Sequence, residues 1–238
     1  MKRLLLFFLI VNCQLSIVNS LYAQVGEYRS ALAFGVNGGY NWNKVSFDPT
    51  IKQKYHGGTT LGFTMRYTCE RYFKMLCAVQ AEVNYAQLGW TEVIETSDDK
   101  FSRTINYVQV PFLARLGMGK EVKGMMGYLV LGPQLGFYIS DKDKRSGTWS
   151  AATLAQRPNN VVEQYSLPIQ NHFEYGITGG LGMEVNTKKA GHFSIEGRYY
   201  FALSNIFHDG KADTFGRSAN GAIVAKVTYL FDVFSRKD

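Results

Sequence analysis

The chain alternates between large apolar residues and small or polar residues in eight separate segments. In the first segment, even positions from Leu32 to Trp42 are apolar or aromatic except Gly38, and odd positions are Ala, Gly or Asn. A period of two places every second side chain on the same face of a strand. We therefore predict eight strands. They cover about Leu32–Trp42, Thr59–Thr68, Met75–Gln87, Ile105–Leu116, Met126–Tyr138, Glu174–Val185, His192–Leu203 and Gly221–Phe231.

The connections between these strands alternate between short and long. The shorter ones are residues 69–74, 117–125 and 186–191, and the longer ones are 44–57, 91–104, 140–172 and 205–219. Short turns on one side and long loops on the other are typical of outer-membrane barrels. The predicted fold class is all-β, an eight-stranded antiparallel up-and-down transmembrane β-barrel. In the outer membrane its long loops would be extracellular and its termini periplasmic.

Alternation alone does not decide which face points outward, because a soluble lipocalin-like barrel would bury the apolar face. The polar face favours the membrane barrel, since it carries most of the glycines and suits a crowded, narrow lumen. It also carries four cations and four carboxylates, and buried charges need partners. We predict that these eight residues form a lumen charge network that plugs the barrel. They are Arg66, Glu82, Arg115, Glu174, Glu184, Glu196, Arg198 and Lys226.

Aromatic residues near the strand ends predict girdles at the two membrane interfaces. On the long-loop side they are Tyr40, Trp42, Tyr85 and Trp90, and on the other side Tyr67, Phe193, Tyr229 and Phe231. Pro111 lies mid-strand, where it cannot donate a ladder hydrogen bond. We therefore expect a bulge or a local distortion there.

The N-terminus predicts a secretory signal. Lys2-Arg3 precede the apolar run Leu4–Val11, and Ala23 ends the segment before a polar residue. This order is typical of a cleaved signal peptide. We predict a signal peptide over residues 1–23 and an outer-membrane β-barrel domain over residues 24–238.

The cysteines allow more than one interpretation. Cys13 could anchor a lipoprotein, but Asn12 stands where a small residue is expected. Cys69 and Cys77 flank a short turn and would lie opposite each other if the hairpin were centred near Phe73. They are then either a disulfide at the rim or two small apolar rim residues, and we favour the second.

Composition excludes some classes of function. The net charge is +7 but it is spread along the chain, without the basic stripe typical of nucleic-acid binding. No segment after the signal has 18 consecutive apolar residues, so no transmembrane helix is predicted. A membrane protein of such ordinary hydropathy has to cross as a barrel.

Four motifs follow one another along the predicted strands. They are Phe34-Gly35-Val36-Asn37-Gly38-Gly39-Tyr40-Asn41, then Leu61-Gly62-Phe63, then Asn106-Tyr107-Val108-Gln109-Val110-Pro111-Phe112, and Leu131-Gly132-Pro133-Gln134-Leu135-Gly136. Together they resemble the PorT-like outer-membrane β-barrel family of Bacteroidetes. The third is similar to the family's "NYLEIP" strand and the fourth to its "aGpqvG" strand. The resemblance implies an outer-membrane barrel, often called porin-like without demonstrated transport. The member that names the family takes part in type IX secretion.

Candidate catalytic chemistry is weak. His56, His172 and His208 fall in or beside three different long loops. Serines and aspartates in the loops could join them in a metal site or an acyl-transfer site. These are Ser166, Ser204, Asp141, Asp143 and Asp209. The spacing matches no metal or hydrolase signature, so we predict no catalytic residue, no metal and no cofactor.

The loop over residues 140–172 is the best functional candidate, because it is longer than a simple connection needs. Its apolar content indicates either local folding or a binding surface, for which we select Trp149, Leu154, Tyr165 and His172. The charged run that begins at Asp141 could bind lipopolysaccharide phosphates, or it could be a solvated loop base of nearly balanced charge.

These observations predict a non-enzymatic barrel that presents loops for binding or supports the envelope. The alternatives are an accessory subunit of a secretion or assembly machine and, third, a lipid-modifying enzyme. The expected partners are outer-membrane lipids and lipopolysaccharide, the barrel assembly machinery, and a secretion machine or an extracellular ligand, with no nucleic acid.

Overall fold

Within the residues that the structure describes, the fold consists of nine strands, one short helix and a 3₁₀ turn. The computed structural model describes residues 27–121, 123–157, 161–187 and 190–237, so the predicted signal peptide lies outside the described residues. The strands are β1 (Glu27–Asp48), β2 (Gln53–Lys54), β3 (His56–Tyr72), β4 (Met75–Glu92), β5 (Lys100–Gly119), β6 (Gly124–Ser146), β7 (Phe173–Asn186), β8 (His192–Ala202) and β9 (Arg217–Lys237). Between β6 and β7 lie helix α1 (Ala151–Leu154) and a 3₁₀ turn (Glu163–Tyr165).

Eight of these strands close into a ring. Each long strand pairs antiparallel with its neighbours in the chain, β4 pairs with β5, and β1 pairs with both β3 and β9. The two-residue strand β2 only extends the pairing of β4 at one rim. The predicted eight-stranded antiparallel barrel is therefore confirmed.

The two ends of the barrel differ. At one end, here called the turn end, short connections join β3 to β4, β5 to β6 and β7 to β8. At the other, here called the long-loop end, β5 and β6 continue well past their predicted limits, to Lys100 and Ser146. Parts of the two predicted loops next to β5 and β6 therefore belong to these strands, and they make the barrel wall taller at this end.

The apolar face points outward. Leu61, Phe63, Leu181 and Ile195 are 67–71% exposed, whereas the eight charged residues of the opposite face are at most 6% exposed. A soluble barrel would show the reverse arrangement. The lipocalin-like alternative is therefore wrong for this chain, and no helix among the described residues is long and apolar enough to cross a membrane.

The structure corrects one expectation about a single residue, at Trp90, and decides between the two alternatives expected at Pro111. Trp90 is fully buried and points into the barrel, so it does not belong to the outer girdle; it has the inward parity of Glu82 in the same strand. Pro111 causes no bulge, because the β4–β5 register is the same at Ala81–Phe112 and at Asn84–Gln109. The local distortion is an interruption of the pairing between these two points.

The cysteines at the turn end are both free thiols. A register shift between Thr68 and Glu70 places Glu70, rather than Cys69, opposite Cys77. Phe73, at the tip of the hairpin, has a φ of +52°. The symmetric hairpin that would align the two cysteines is therefore not formed.

Candidate functional site

The interior nearest the turn end is organised around Glu184 of β7. Its Oε2 accepts hydrogen bonds from Arg66 at 2.5 Å and from Arg115 at 2.6 Å, and all three side chains are buried. His192 lies 3.5 Å from the other carboxylate oxygen of Glu184. Two arginines from β3 and β5 thus converge on one carboxylate across the lumen.

A second group of ion pairs surrounds Glu82 of β4. Arg198 donates to both of its carboxylate oxygens, at 2.7 and 3.1 Å, and Lys226 donates to Oε2. Gln80 and Asn84 also donate to this carboxylate, at 2.7 and 2.8 Å. Glu82 is therefore fully surrounded by donors, as a buried carboxylate requires.

Glu196 and Glu174 complete the predicted set in different ways. Glu196 pairs with Arg198 and so belongs to the group around Glu82. Glu174 accepts hydrogen bonds from Tyr200 at 2.8 Å and from Asn220, and within the described residues it forms no ion pair. The eight residues all lie inside the barrel, but Glu174 stands apart from the paired charges.

Glycines on the inner face make room for these large side chains. A Cβ on Gly182 would lie 2.3 Å from the Tyr128 ring, and one on Gly180 would lie 2.8 Å from the side chain of Arg198. Tyr128 in turn supports Arg115, whose guanidinium carbon lies 3.5 Å from the ring centroid. The alternation of glycine with large residues therefore sets how the lumen is filled.

Towards the long-loop end the interior changes from ion pairs to aromatic side chains, here called the cap. Trp90 contacts Phe47 and Phe207 with ring centroids 5.2 and 6.4 Å apart, and Phe101 contacts Tyr165 at 4.9 Å. All five rings are at most 7% exposed. The cap joins residues of the wall to residues from two long loops.

Three arginines fix the long loop between β6 and β7 to the wall strands β5 and β6 and to the connection between β4 and β5. Arg157 pairs with Asp99 at 2.6 Å, and Arg145 donates to the carbonyl oxygen of Tyr165. Arg103 donates at 2.6 Å to the carbonyl oxygen of Leu167 and forms ion pairs with two aspartates of β6. The loop is thus held as part of the protein interior.

The titratable groups in and beside the cap have partners that determine their protonation. The backbone N–H of Trp149, at 2.8 Å, and the Arg157 guanidinium hold the pKa of Asp99 well below its usual range. Burial raises the pKa of Tyr165 above its usual range, so its hydroxyl stays protonated and donates to Glu92 at 2.9 Å. Both interactions stabilise the closed loop at neutral pH.

Most of the residues predicted to form a binding surface on this loop pack inside the protein. Tyr165 is buried, and Trp149 and Leu154 pack against the aromatic cluster, so these three do not form an exposed patch. Only His172 is exposed, and its ring stacks on Tyr138 at 4.7 Å. Local folding, the other interpretation, describes this loop.

The loop histidines, serines and aspartates are not assembled into one site. His56 bonds to two threonines, whereas Asp141 pairs with Arg103, and Ser204 hydrogen-bonds to the backbone of Tyr175. Among the described residues no group of three His, Cys, Asp or Glu could hold a metal.

Trp90 and Arg103 are interior residues that lie outside the predicted strand bounds. Both follow the inward parity of their strands, even positions in β4 and odd positions in β5. Extending each alternation past the predicted strand end would have found them. No such pattern predicts that Arg157 is an interior residue, because it lies in an irregular part of the loop.

A family model described as "Outer membrane protein beta-barrel domain" matches residues 22–208. The chain belongs to this family. An outer-membrane barrel agrees with the outward apolar face and the closed ring described above. The match is to the family as a whole, and membership of the PorT-like branch stays a prediction.

Solved structures with a similar chain trace include two bacterial outer-membrane proteins. Ail, the attachment invasion locus protein of Yersinia pestis, solved with the heparin analogue sucrose octasulfate, has 12% identity and a TM-score of 0.36 over 86% of this chain and 99% of its own. OprG of Pseudomonas aeruginosa has 14% identity and a TM-score of 0.41 over 87% and 98%. No curated protein matches the sequence. These similarities carry no inference about function.

Replacing Glu82 by glutamine should destabilise the barrel by about 3–5 kcal/mol, because Arg198 and Lys226 are left without their shared carboxylate. Adding Lys226→Met should recover part of this loss, since it removes one of the uncompensated cations. Urea unfolding in liposomes measures the free energy of unfolding, with the exposed Glu70→Gln as control. Full additivity of the two changes would show that Glu82 and Lys226 are not coupled.

Replacing Arg157 by methionine should loosen the cap without unfolding the barrel, because it removes the partner of Asp99. Chymotrypsin should then cleave at Trp149 or Tyr165 at least tenfold faster, by an order-of-magnitude estimate for a lost anchoring pair. Arg217→Met, exposed at the same end, is the control. Equal cleavage rates in the two variants would contradict this role.

The same pair predicts how the cap responds to pH. A carboxylate whose pKa is lowered by folding contributes stability above its unfolded pKa of about 3.9, and this is lost as the pH falls through the folded value. The cap should therefore stay closed at pH 7 and 5 and open only in stronger acid. Acrylamide quenching of tryptophan fluorescence can follow this. Opening between pH 5 and 7 would exclude Asp99 as the controlling group.

Proposed function

We propose that this protein is a non-enzymatic outer-membrane barrel with a plugged lumen, whose long loops form a folded cap at the cell surface. The observation that carries the proposal is that the interior is occupied at successive levels. Glu184 and its arginines fill the turn end, the group around Glu82 fills the middle, and the aromatic cap fills the long-loop end. Such an interior supports envelope or binding roles better than the passage of solutes.

The eight-stranded ring adds to this argument. A barrel of this size encloses a space that side chains alone can fill. The side chains that fill it here are also paired with one another, as Arg198 is with two different carboxylates. A conducting path would require several such pairs to separate at once.

The proposed orientation places the long loops outside the cell and the turn end in the periplasm. Short periplasmic turns and longer extracellular loops are the usual arrangement in such barrels. Both described chain ends, Glu27 and Lys237, lie at the turn end, where β1 pairs with the ends of β3 and β9. A chain inserted from the periplasm keeps its termini on that side.

Planar-bilayer recording tests the plug. The purified protein should give no stable conductance steps, and Arg157→Met should also be silent, because the ion-paired layers below the cap remain. Heat-denatured protein from the same preparation controls for contaminating porins. Stable nanosiemens steps that follow this protein through purification would overturn the plugged lumen.

Labelling of intact cells tests the orientation. A membrane-impermeant amine reagent should modify Lys211, exposed at the long-loop end, and spare Lys74, exposed in the β3–β4 turn. Lysed cells should show modification of both lysines. Preferential labelling of Lys74 in intact cells would reverse the proposed topology.

A further inference from the structure

The outer surface at the long-loop end is polar on one side of the barrel, across β3 to β6. Thr59 donates to Gln87 at 2.9 Å, Gln87 donates to Asn106 at 3.5 Å, and Asn106 donates to Ser140 at 3.0 Å. These four residues form one continuous row over four neighbouring strands. The row marks where the apolar outer face ends.

A second polar row lies above the first, and it has a lysine at each end. In the register, Lys54 is paired with Thr91, Thr91 with Ser102, and Ser102 with Lys144. Directly paired residues share one face of a sheet. Since Ser102 alternates with the buried Phe101 and Arg103, this row points outward.

Lys142 and His56 extend this surface. Lys142 is paired with Thr104, which also alternates with the buried Arg103 and therefore faces outward. His56 contacts the hydroxyls of Thr91 and Thr104, at 2.9 Å each. Hydroxyls and basic side chains thus lie side by side along this rim, here called the basic rim.

The positive charge of the basic rim is not neutralised by the neighbouring aspartates. In the run from Asp141 to Lys144, both aspartates turn inward to the buried Arg103, whereas both lysines are exposed. Within the described part of the chain, Lys54, Lys142 and Lys144 form no ion pair. The sequence is nearly balanced in charge here, but the strand sorts cations to the outside.

An apolar groove lies below the basic rim on the same side of the barrel. Its volume is about 470 Å³, and it opens on the outer face of β1, β3, β4 and β5 and extends to Phe231 of β9. Phe63 and Phe112 line it, together with the much smaller Ala81. It includes Val83 and Val110, where the β4–β5 pairing is interrupted next to Pro111.

The distance between the basic rim and the groove fits one leaflet of a membrane, headgroups included. Thr104, which is paired with Lys142 at the rim, lies eight positions along β5 from Phe112 of the groove, which is about 26 Å along a strand. With a strand tilt of about 45°, this corresponds to roughly 19 Å of depth, close to the ~20–22 Å from the headgroups to the middle of a bilayer. A lipid with its phosphate at the rim would therefore place an acyl chain in the groove.

We infer that this side of the barrel is a binding site for lipopolysaccharide, with its phosphates at Lys54, Lys142 and Lys144 and an acyl chain in the groove beside Ala81. The choice of this phosphorylated glycolipid rests on the proposed orientation, which puts the basic rim in the outer leaflet. Three cations spread along the rim also suit a lipid that carries more than one phosphate.

The charge part of the site is tested with lipid A added to the detergent-solubilised protein and counted by native mass spectrometry. The double variant Lys142→Gln with Lys144→Gln should bind bisphosphorylated lipid A at least about tenfold more weakly, given the usual contribution of a lysine at an anionic surface. Lys211→Gln, on a loop away from the rim, should bind like the unmodified protein. Unchanged binding by the double variant would overturn the inference.

Dephosphorylated lipid A and inorganic phosphate separate the two parts of the ligand. The dephosphorylated lipid should bind the double variant and the unmodified protein equally, and inorganic phosphate should not displace bisphosphorylated lipid A. If inorganic phosphate displaces it fully, the rim is a simple anion site and the lipid assignment is wrong.

The groove is tested with Ala81→Phe, which fills it without changing charge. Retention of both forms of lipid A should fall, whereas Leu181→Phe, on an outward position outside the groove, should have no effect. A change in oligomeric state with unchanged lipid retention would overturn the site, because the groove would then be a protein contact. These measurements depend on neither conductance nor cell-surface labelling, so they can fail while the proposed function stands.

Discussion

The space inside an eight-stranded ring is scarcely wider than the side chains that point into it, and the rest of this structure follows from that constraint. A charge in such a space finds its counter-charge across the lumen or is left unpaired at high cost. Glu184 meets arginines from β3 and β5, and Glu82 meets cations from β8 and β9. These pairs join strands that are not neighbours in the sheet. They therefore fix the positions of distant strands relative to one another, which ladder hydrogen bonds between adjacent strands cannot do.

The same constraint explains why the interior changes character along its length. Above Glu174 the wall continues beyond the paired charges, and its inward positions become Trp90, Phe101 and other large rings. Rings fill space without needing counter-charges, but the wall alone does not supply enough of them. The loop between β6 and β7 completes the layer with Tyr165, and Arg157 holds it there through Asp99. A loop that would otherwise be a surface connection is in this way made part of the core.

Strand alternation predicted which residues face the lumen, because a period of two is a local property of the backbone. It did not predict partners: Arg198 and Glu82 are 116 residues apart, and their meeting depends on the tilt and stagger of a closed ring. It also failed at the rim. Beyond Asn106 the outward positions of β5 become Thr104 and Ser102, so the contrast between faces disappears and the strand resembles a loop. The folded cap was harder to predict. The apolar residues of the loop are evident from its composition, but the loop is held in place by Arg157 through contacts that no local sequence pattern encodes.

The run from Asp141 to Lys144 shows how the two faces of one strand are coupled. Its aspartates satisfy Arg103, which in turn holds the loop at Leu167, while its lysines leave the outer surface positive. Because the side chains alternate strictly, neither set can be moved without exposing the other to the wrong environment. A sequence that averages to near neutrality therefore produces an inner anchor and an outer basic rim at the same height. The contact that holds the loop and the charges proposed to bind a lipid therefore depend on the same four residues of β6.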